Sequence, residues 1–218
     1  MPPKGNSNYI ALVDSGIANI GSVYKALEKA GRKAIVTHEA NVIKKAAGVV
    51  FPGVGSFAYA MMILQKNGLV QILRETIESG KPFLGICLGL QLLFSSSEEC
   101  SECETKVIPG LNIIPGEVKL LPAGQPVPHV GWNRVYLQQK GHPLFKGLPE
   151  DPYFYFTHSY YVQPLEPQVR LALTFYGSQF TSAVAHGNLM GVQFHPEKSG
   201  PEGLLLLRNF DNMVFIHR

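Results

Sequence analysis

Short apolar runs alternate with amphipathic stretches through the first half of the chain, and this alternation restricts the fold more than any other feature. Tyr9 to Asp14, Lys33 to Val36, Gly48 to Phe51 and Pro82 to Ile86 read as buried strands. Between them, Asn19 to Ala30, Ala58 to Lys66 and Leu69 to Ser79 read as helices. In the first of these Ile20, Val23, Leu27 and Ala30 share one face. Gly31, Gly68 and Gly80 stand where those helices should end. After Cys87, Leu88 to Phe94 resumes a helical pattern. Strands that are apolar throughout and alternate with helices belong in a parallel sheet covered on both faces.

The second half changes character. Glu117 to Leu121, Trp132 to Leu137, Tyr153 to Tyr161, Val169 to Phe175, Phe180 to Ala185 and Leu189 to His195 read as strands, with His186-Gly187-Asn188 as a turn between the last two. Ser95 to Thr105 is polar and reads as a loop or a frayed helix end. Leu204 to Val214 reads as a closing helix. No linker separates the halves. The expectation is one α/β domain over residues 1–218, a central, mostly parallel sheet flanked by helices with antiparallel strands added in the second half.

Composition excludes several functions. Lys plus Arg is 19 and Asp plus Glu is 16, a formal charge of +3 with no dense basic run, which gives no basis for nucleic-acid binding. Apolar runs such as Leu204 to Leu207 are far too short to span a bilayer. Met1 to Asn6 lacks the apolar core of a signal peptide. Three cysteines, Cys87, Cys100 and Cys103, do not make a disulfide framework, so a reducing, cytoplasmic setting is expected.

Gly85-Ile86-Cys87-Leu88-Gly89 carries the sharpest chemical signal, because it follows an apolar strand and opens a helix. That is the setting of a nucleophile elbow, in which flanking glycines leave room for a tight turn. A helix N-terminus favours thiolate, and the Leu88 N–H would point to where an oxyanion forms. The bland alternative is a buried cysteine in a glycine-rich turn. A nucleophilic cysteine needs a base and an orienting acceptor. His195, in Gly191-Val192-Gln193-Phe194-His195-Pro196-Glu197, ends an apolar strand, where parallel-sheet enzymes place their sites. In extended backbone Glu197 would lie on the same side as His195 and reach its ring, with Pro196 stiffening the spacing. Taken alone, His195 could equally cap a loop. Pro52-Gly53-Val54-Gly55 follows a strand expected beside the cysteine strand. It reads either as a ligand loop, with Val54 as a second oxyanion donor and Gly55 as a substrate contact, or as a tight connection. Cys100-Ser101-Glu102-Cys103 lacks the second ligand pair of a zinc site and reads as an incidental loop, so no metal is expected.

Together these segments resemble the class I, or triad, glutamine amidotransferases over nearly the whole chain. More narrowly they are similar to the glutaminase subunits of imidazole glycerol phosphate synthases. The narrower resemblance rests on Pro52 to Gly55, Pro128-His129-Val130-Gly131-Trp132-Asn133, Tyr155-Phe156-Thr157-His158-Ser159-Tyr160, His195-Pro196-Glu197-Lys198-Ser199-Gly200 and the turn Asp14-Ser15-Gly16-Ile17-Ala18-Asn19. It implies a Cys87-His195-Glu197 triad with no cofactor. It assigns Gly55, Gln91, Glu99 and the backbone of His158, Ser159 and Tyr160 to the amino-acid end of glutamine. The Val54 peptide is implied to turn into the oxyanion hole on activation, beside Leu88. Asn19, His129, Trp132, Tyr155 and Lys198 are implied to face a (β/α)8-barrel cyclase in a 1:1 heterodimer. That partner would use the ammonia to make imidazole glycerol phosphate and AICAR in histidine biosynthesis.

Three other functions are compatible with parts of the pattern. A paralogous glutaminase could feed another synthase, such as one making an amidated sugar or anthranilate, although the segment Pro128 to Asn133 disfavours the anthranilate type. A non-catalytic binding subunit would have no use for Cys87, His195 and Glu197. A cysteine peptidase with its own elbow would not need Gln91 or the His-Pro-Glu segment.

Overall fold

The computed structural model describes residues 8–31, 33–99 and 107–215. Its first half is a run of parallel strands and helices, β1 (Ile10–Val13), α1 (Ile20–Ala30), β2 (Ala34–Thr37), α2 (Ala40–Lys45), β3 (Gly48–Gly53), α3 (Phe57–Lys66), α4 (Leu69–Glu78) and β4 (Phe83–Cys87). The strands line up as β2-β1-β3-β4, all parallel. Alternate residues point to opposite faces, and the packing follows. Ile10, Leu12, Val50, Leu84 and Ile86 join a core beneath α1 and α6 (Gly200–Phe215). Ala11, Val13, Val49, Phe51 and Phe83 join a second core beneath α2, α3 and α4. Fully burying one such aromatic or aliphatic side chain contributes about 1.5–3 kcal/mol, so these two layers hold the sheet.

The second half extends the same 12-stranded sheet. β14 (Leu189–Val192) pairs parallel to β4, and antiparallel partners follow: β13 (Ser178–His186), β12 (Arg170–Tyr176), β11 (Tyr160–Pro164) and β7 (Ile114–Leu120). The short strands β5 (Phe94–Ser97), β6 (Ile108–Pro109) and β9 (Tyr136–Leu137) complete it. β8 (His129–Arg134) and β10 (Tyr153–His158) form a separate antiparallel pair over the carboxyl end of the parallel strands. Among the described residues no helix is long and apolar enough to cross a membrane.

Several elements differ from their sequence expectation. The helix expected over Leu88 to Phe94 is one turn, α5 (Leu88–Gln91). Leu92, Leu93 and Phe94 instead accept backbone hydrogen bonds from Leu111, Ile113, Ile114 and Asn112. A run that is apolar on every side has no periodicity to separate helix from strand, and this non-local pairing decides it. Phe94 to Ser97, expected as helix end and loop, is therefore strand β5, while Cys100 and Cys103 lie outside the described residues. The strand expected over Tyr153 to Tyr161 breaks at Ser159. β10 serves the small sheet and β11 the large one, a corner of the kind that joins crossed sheets. α2 replaces a stretch left without an element, and α6 starts at Gly200 rather than Leu204, with Pro201 and Glu202 in its first turn.

Candidate active site

The carboxyl ends of β3, β4 and β14 converge, with Gly53 opposite Cys87 and Val192 opposite Ile86. Cys87 ends β4 with φ 54° and ψ −112°, a conformation that costs an L-residue about 1–3 kcal/mol. The neighbouring packing maintains it. A Cβ on Gly89 would come within 1.9 Å of the Phe51 carbonyl oxygen, so only glycine lets the chain after Cys87 lie against β3. The elbow therefore exists as the sequence suggests. The helix after it is a single turn, so few peptide dipoles align and the expected helix-dipole support for the thiolate is small.

His195 is buried and sits beyond the end of β14, not on it as expected, with its N–H donating to the Tyr155 carbonyl at 2.8 Å. The chain then turns through a 3-10 helix, Pro196–Lys198, which brings Glu197 Oε1 within 2.8 Å of His195 Nδ1. The pairing thus comes from a turn and not from extended alternation. Gly203 in α6 makes room for that turn, since a Cβ there would lie 1.9 Å from the Pro196 carbonyl oxygen. His195 Nε2 has no full hydrogen bond among the described residues, but the ring is close enough to Cys87 to interact with its sulfur. Burial disfavours the imidazolium, yet Cys87 and Glu197 together outweigh it and hold the ring above the usual histidine range.

The two residues expected to supply oxyanion donors differ in their engagement. Leu88 follows Cys87 and opens α5, whereas the Val54 N–H donates to the Ile17 carbonyl at 2.8 Å. Gly55 takes φ 95° at the mouth of this loop. Glu99 lies nearby, half-buried, its carboxylate accepting from the Phe57 N–H at 3.0 Å at the start of α3. Burial pushes its pKa up, against the opposing bonds from Phe57 and Ser56. Gln91 is buried and its Nε2 donates to the Tyr160 carbonyl at 2.9 Å and to Gln193 Oε1 at 3.0 Å. Any ligand contact by Gln91 therefore falls to its oxygen. The Ser159 carbonyl is taken by the Leu121 N–H. Thr157 contributes a carbonyl 4.0 Å from Cys87 Sγ.

Of the five residues expected on a partner face, four reach the surface. Trp132 is 54% exposed, Lys198 and Asn19 are exposed, and Tyr155 is half-buried between Trp132 (ring centroids 6.3 Å apart) and the Lys198 ammonium (5.6 Å from its ring). His129 is the exception. Alternation along β8 turns it inward, where it stacks on Phe156 and Tyr176, so it cannot touch a partner directly.

His129 instead joins a directional hydrogen-bond chain. The Tyr160 carbonyl can only accept, so His158 Nδ1, 2.8 Å away, carries the proton. With burial pushing His158 down to about 3 and His129 to about 4, both rings are neutral. His158 Nε2 then accepts from His129 Nδ1 at 3.0 Å, and His129 Nε2 accepts from Asn133 Nδ2 at 3.2 Å. Sequence reasoning missed this pair and Gln193. The one available signal was period two, which puts His158 level with Phe156 and Gln193 level with His195.

The sequence pattern of the family described as Glutamine amidotransferase class-I matches residues 11–213, and the chain belongs to that family. A solved structure titled "Crystal structure of glutamine amidotransferase" shares the fold at a TM-score of 0.71 and 19% identity, covering 94% of this chain and 98% of that one. The chain is 51% identical over 205 residues to "Imidazole glycerol phosphate synthase subunit HisH" of Moorella thermoacetica, covering 94% of this chain and 95% of the relative. It is 49% identical over 208 residues to the subunit of the same name from Trichormus variabilis, covering 94% and 96%. Within the class-I family the chain therefore falls among the HisH subunits.

Proposed function

We propose that this chain, acting as one domain over residues 1–218, is the glutaminase subunit of an imidazole glycerol phosphate synthase in histidine biosynthesis. The observation that carries the chemistry is the 2.8 Å bond between His195 Nδ1 and Glu197, which turns the rest of the ring toward a strained, buried Cys87. Cys87 attacks the side-chain amide carbon of glutamine. A C–S bond forms and the carbonyl electron pair moves to oxygen, which the Leu88 N–H and a turned Val54 N–H stabilise. One such donor is worth about 3–4 kcal/mol. As the intermediate collapses, His195 gives its proton to the departing nitrogen and ammonia leaves. His195 then takes a proton from water as it attacks the thioester, and glutamate departs. Gly55, Gln91, Glu99 and the backbone of His158, Ser159 and Tyr160 hold the amino-acid end of the substrate.

The ammonia goes to a (β/α)8-barrel cyclase bound 1:1 against Asn19, Trp132, Tyr155 and Lys198. It reacts there with the ribulosyl-formimino nucleotide to give imidazole glycerol phosphate and AICAR. A reducing cytoplasm suits a protein whose nucleophile is a free thiol. The test is glutamate production by the purified chain, with and without the cyclase of the same source and its nucleotide ligand. Strong stimulation is expected. Activity indifferent to the cyclase would assign the glutaminase to another synthase, and no activity in either case would leave a binding subunit.

A further inference from the structure

Gln193 is fully buried, follows β14 and faces the elbow, and no part of the proposed reaction uses it. Its Nε2 lies 3.6 Å from Cys87 Sγ, within hydrogen-bond range for sulfur, and its Oε1 lies 3.0 Å from Gln91 Nε2. The polarity of this arrangement is set from outside the pair. A backbone carbonyl accepts and never donates, so Gln91 must turn its NH2 toward Tyr160 O, 2.9 Å away. That same NH2 meets Gln193, which must answer with its oxygen. The amide of Gln193 is then left with one orientation, NH2 toward the sulfur. The Tyr160 carbonyl is itself fixed by the His158 Nδ1–H at 2.8 Å and, through it, by His129 and Asn133.

We propose that Gln193 is a positioning residue for the nucleophile, donating a fixed side-chain N–H to the Cys87 sulfur and holding it as thiolate in the attacking rotamer. The proposal rests on the reading of Cys87 as nucleophile. An amide suits the task, because it stabilises negative sulfur while having no proton to give up near neutral pH. The other titratable groups around the sulfur are His195 with Glu197, on the turn after β14, and His158 on β10. The imidazole of His195 must exchange protons during turnover, so it cannot serve as a constant donor. Gln193 can.

The test is the pH profile of Cys87 alkylation by iodoacetamide in the full chain, read on the Cys87 peptide by mass so that Cys100 and Cys103 do not contribute. Gln193→Met keeps the length and removes the donor, and the alkylation rate below neutral pH should fall about tenfold. Gln193→Glu places a second negative charge at the sulfur, and the fall should be larger, with the inflection moved to higher pH. Gln91→Met frees the Gln193 amide to rotate and should give a smaller shift in the same direction, which covers the case in which a position-193 variant does not fold. Profiles that superimpose on wild type in every folded variant would overturn the role of Gln193. Full glutaminase activity in Cys87→Ala would instead overturn the nucleophile reading beneath it.

Discussion

The N–H of Val54, one residue beyond the Gly53 that lies opposite Cys87, donates to the Ile17 carbonyl 2.8 Å away. The resting loop after β3 is tied to the turn between β1 and α1, which ends at exposed Asn19 on the face assigned to the partner. A donor committed in this way cannot meet an oxyanion until the bond breaks, at a net cost of about 1 kcal/mol for the bond itself. The expected outcome is a Val54 amide that is protected from hydrogen exchange in the isolated chain and loses protection when cyclase and nucleotide ligand are bound. Protection that is unchanged in the stimulated complex would mean that the second donor comes from elsewhere.

The backbone of Cys87 gives a prediction about stability that is independent of any partner. At φ 54° an L-residue is strained and glycine is not. Cys87→Ala and Cys87→Gly remove the same thiol, and both should abolish ammonia release. Ordinarily the glycine variant would be the less stable of the two. Here Cys87→Gly should be the more stable by roughly 1 kcal/mol, after its own entropic penalty of about 0.5–1 kcal/mol is set against the relief. Urea denaturation of the two variants measures the difference, and the reverse order would mean that the elbow relaxes once the sulfur is gone.

Much of this architecture was legible in the sequence because local and tertiary preferences agree there. In β1, β3 and β4 every residue is buried, and the apolar runs announce it. The glycines around Cys87 are readable for the same reason, since each is forced by a close approach. Legibility failed where a partner distant in sequence decides the outcome. Leu92 to Phe94 could form helix or strand until residues 111–114 pair with them, and nothing local marks Ser159 as the point where one strand changes sheets. His129 shows the same limit within the site. The side it faces depends on the register Phe156↔Gly131 and His158↔His129, which no local pattern supplies.

The buried histidine pair predicts acid lability. In the unfolded chain both rings take up protons as pH falls through about 6.5. In the folded chain burial delays this to about 4 for His129 and about 3 for His158. Between these values the unfolded state binds more protons, so stability falls as pH drops from 6.5 toward 4. His158 alone contributes up to about 1.4 kcal/mol per pH unit over that window. The raised pKa of His195 acts in the opposite sense. Its stabilisation is complete below about 6.5 and declines as pH rises from there toward its folded value of about 10, so it does not contribute to the acid loss. Urea midpoints at pH 7 and pH 5 should therefore differ in the wild type, and His129→Phe should narrow the gap. An equal gap in the variant would place the acid-sensitive group elsewhere.

Trp132 offers a test of the partner face that leaves the chemistry alone. Its ring stands 54% exposed on the outer side of the β8–β10 pair, next to Val130 at 57% and edge-on to Tyr155, which carries the Lys198 ammonium over its own face. Aromatic side chains with a cation beside them are the type that dominates interface energetics. Trp132→Ala removes a half-exposed ring that packs edge-on against Tyr155, so the melting temperature of the isolated chain should fall only modestly and Cys87 should alkylate at the wild-type rate. Binding to the cyclase should weaken by about 2 kcal/mol, roughly thirtyfold in Kd. Titration calorimetry against the cyclase measures this directly. Wild-type affinity in Trp132→Ala would move the interface off the β8–β10 pair, while the elbow and its histidine would stand unaffected.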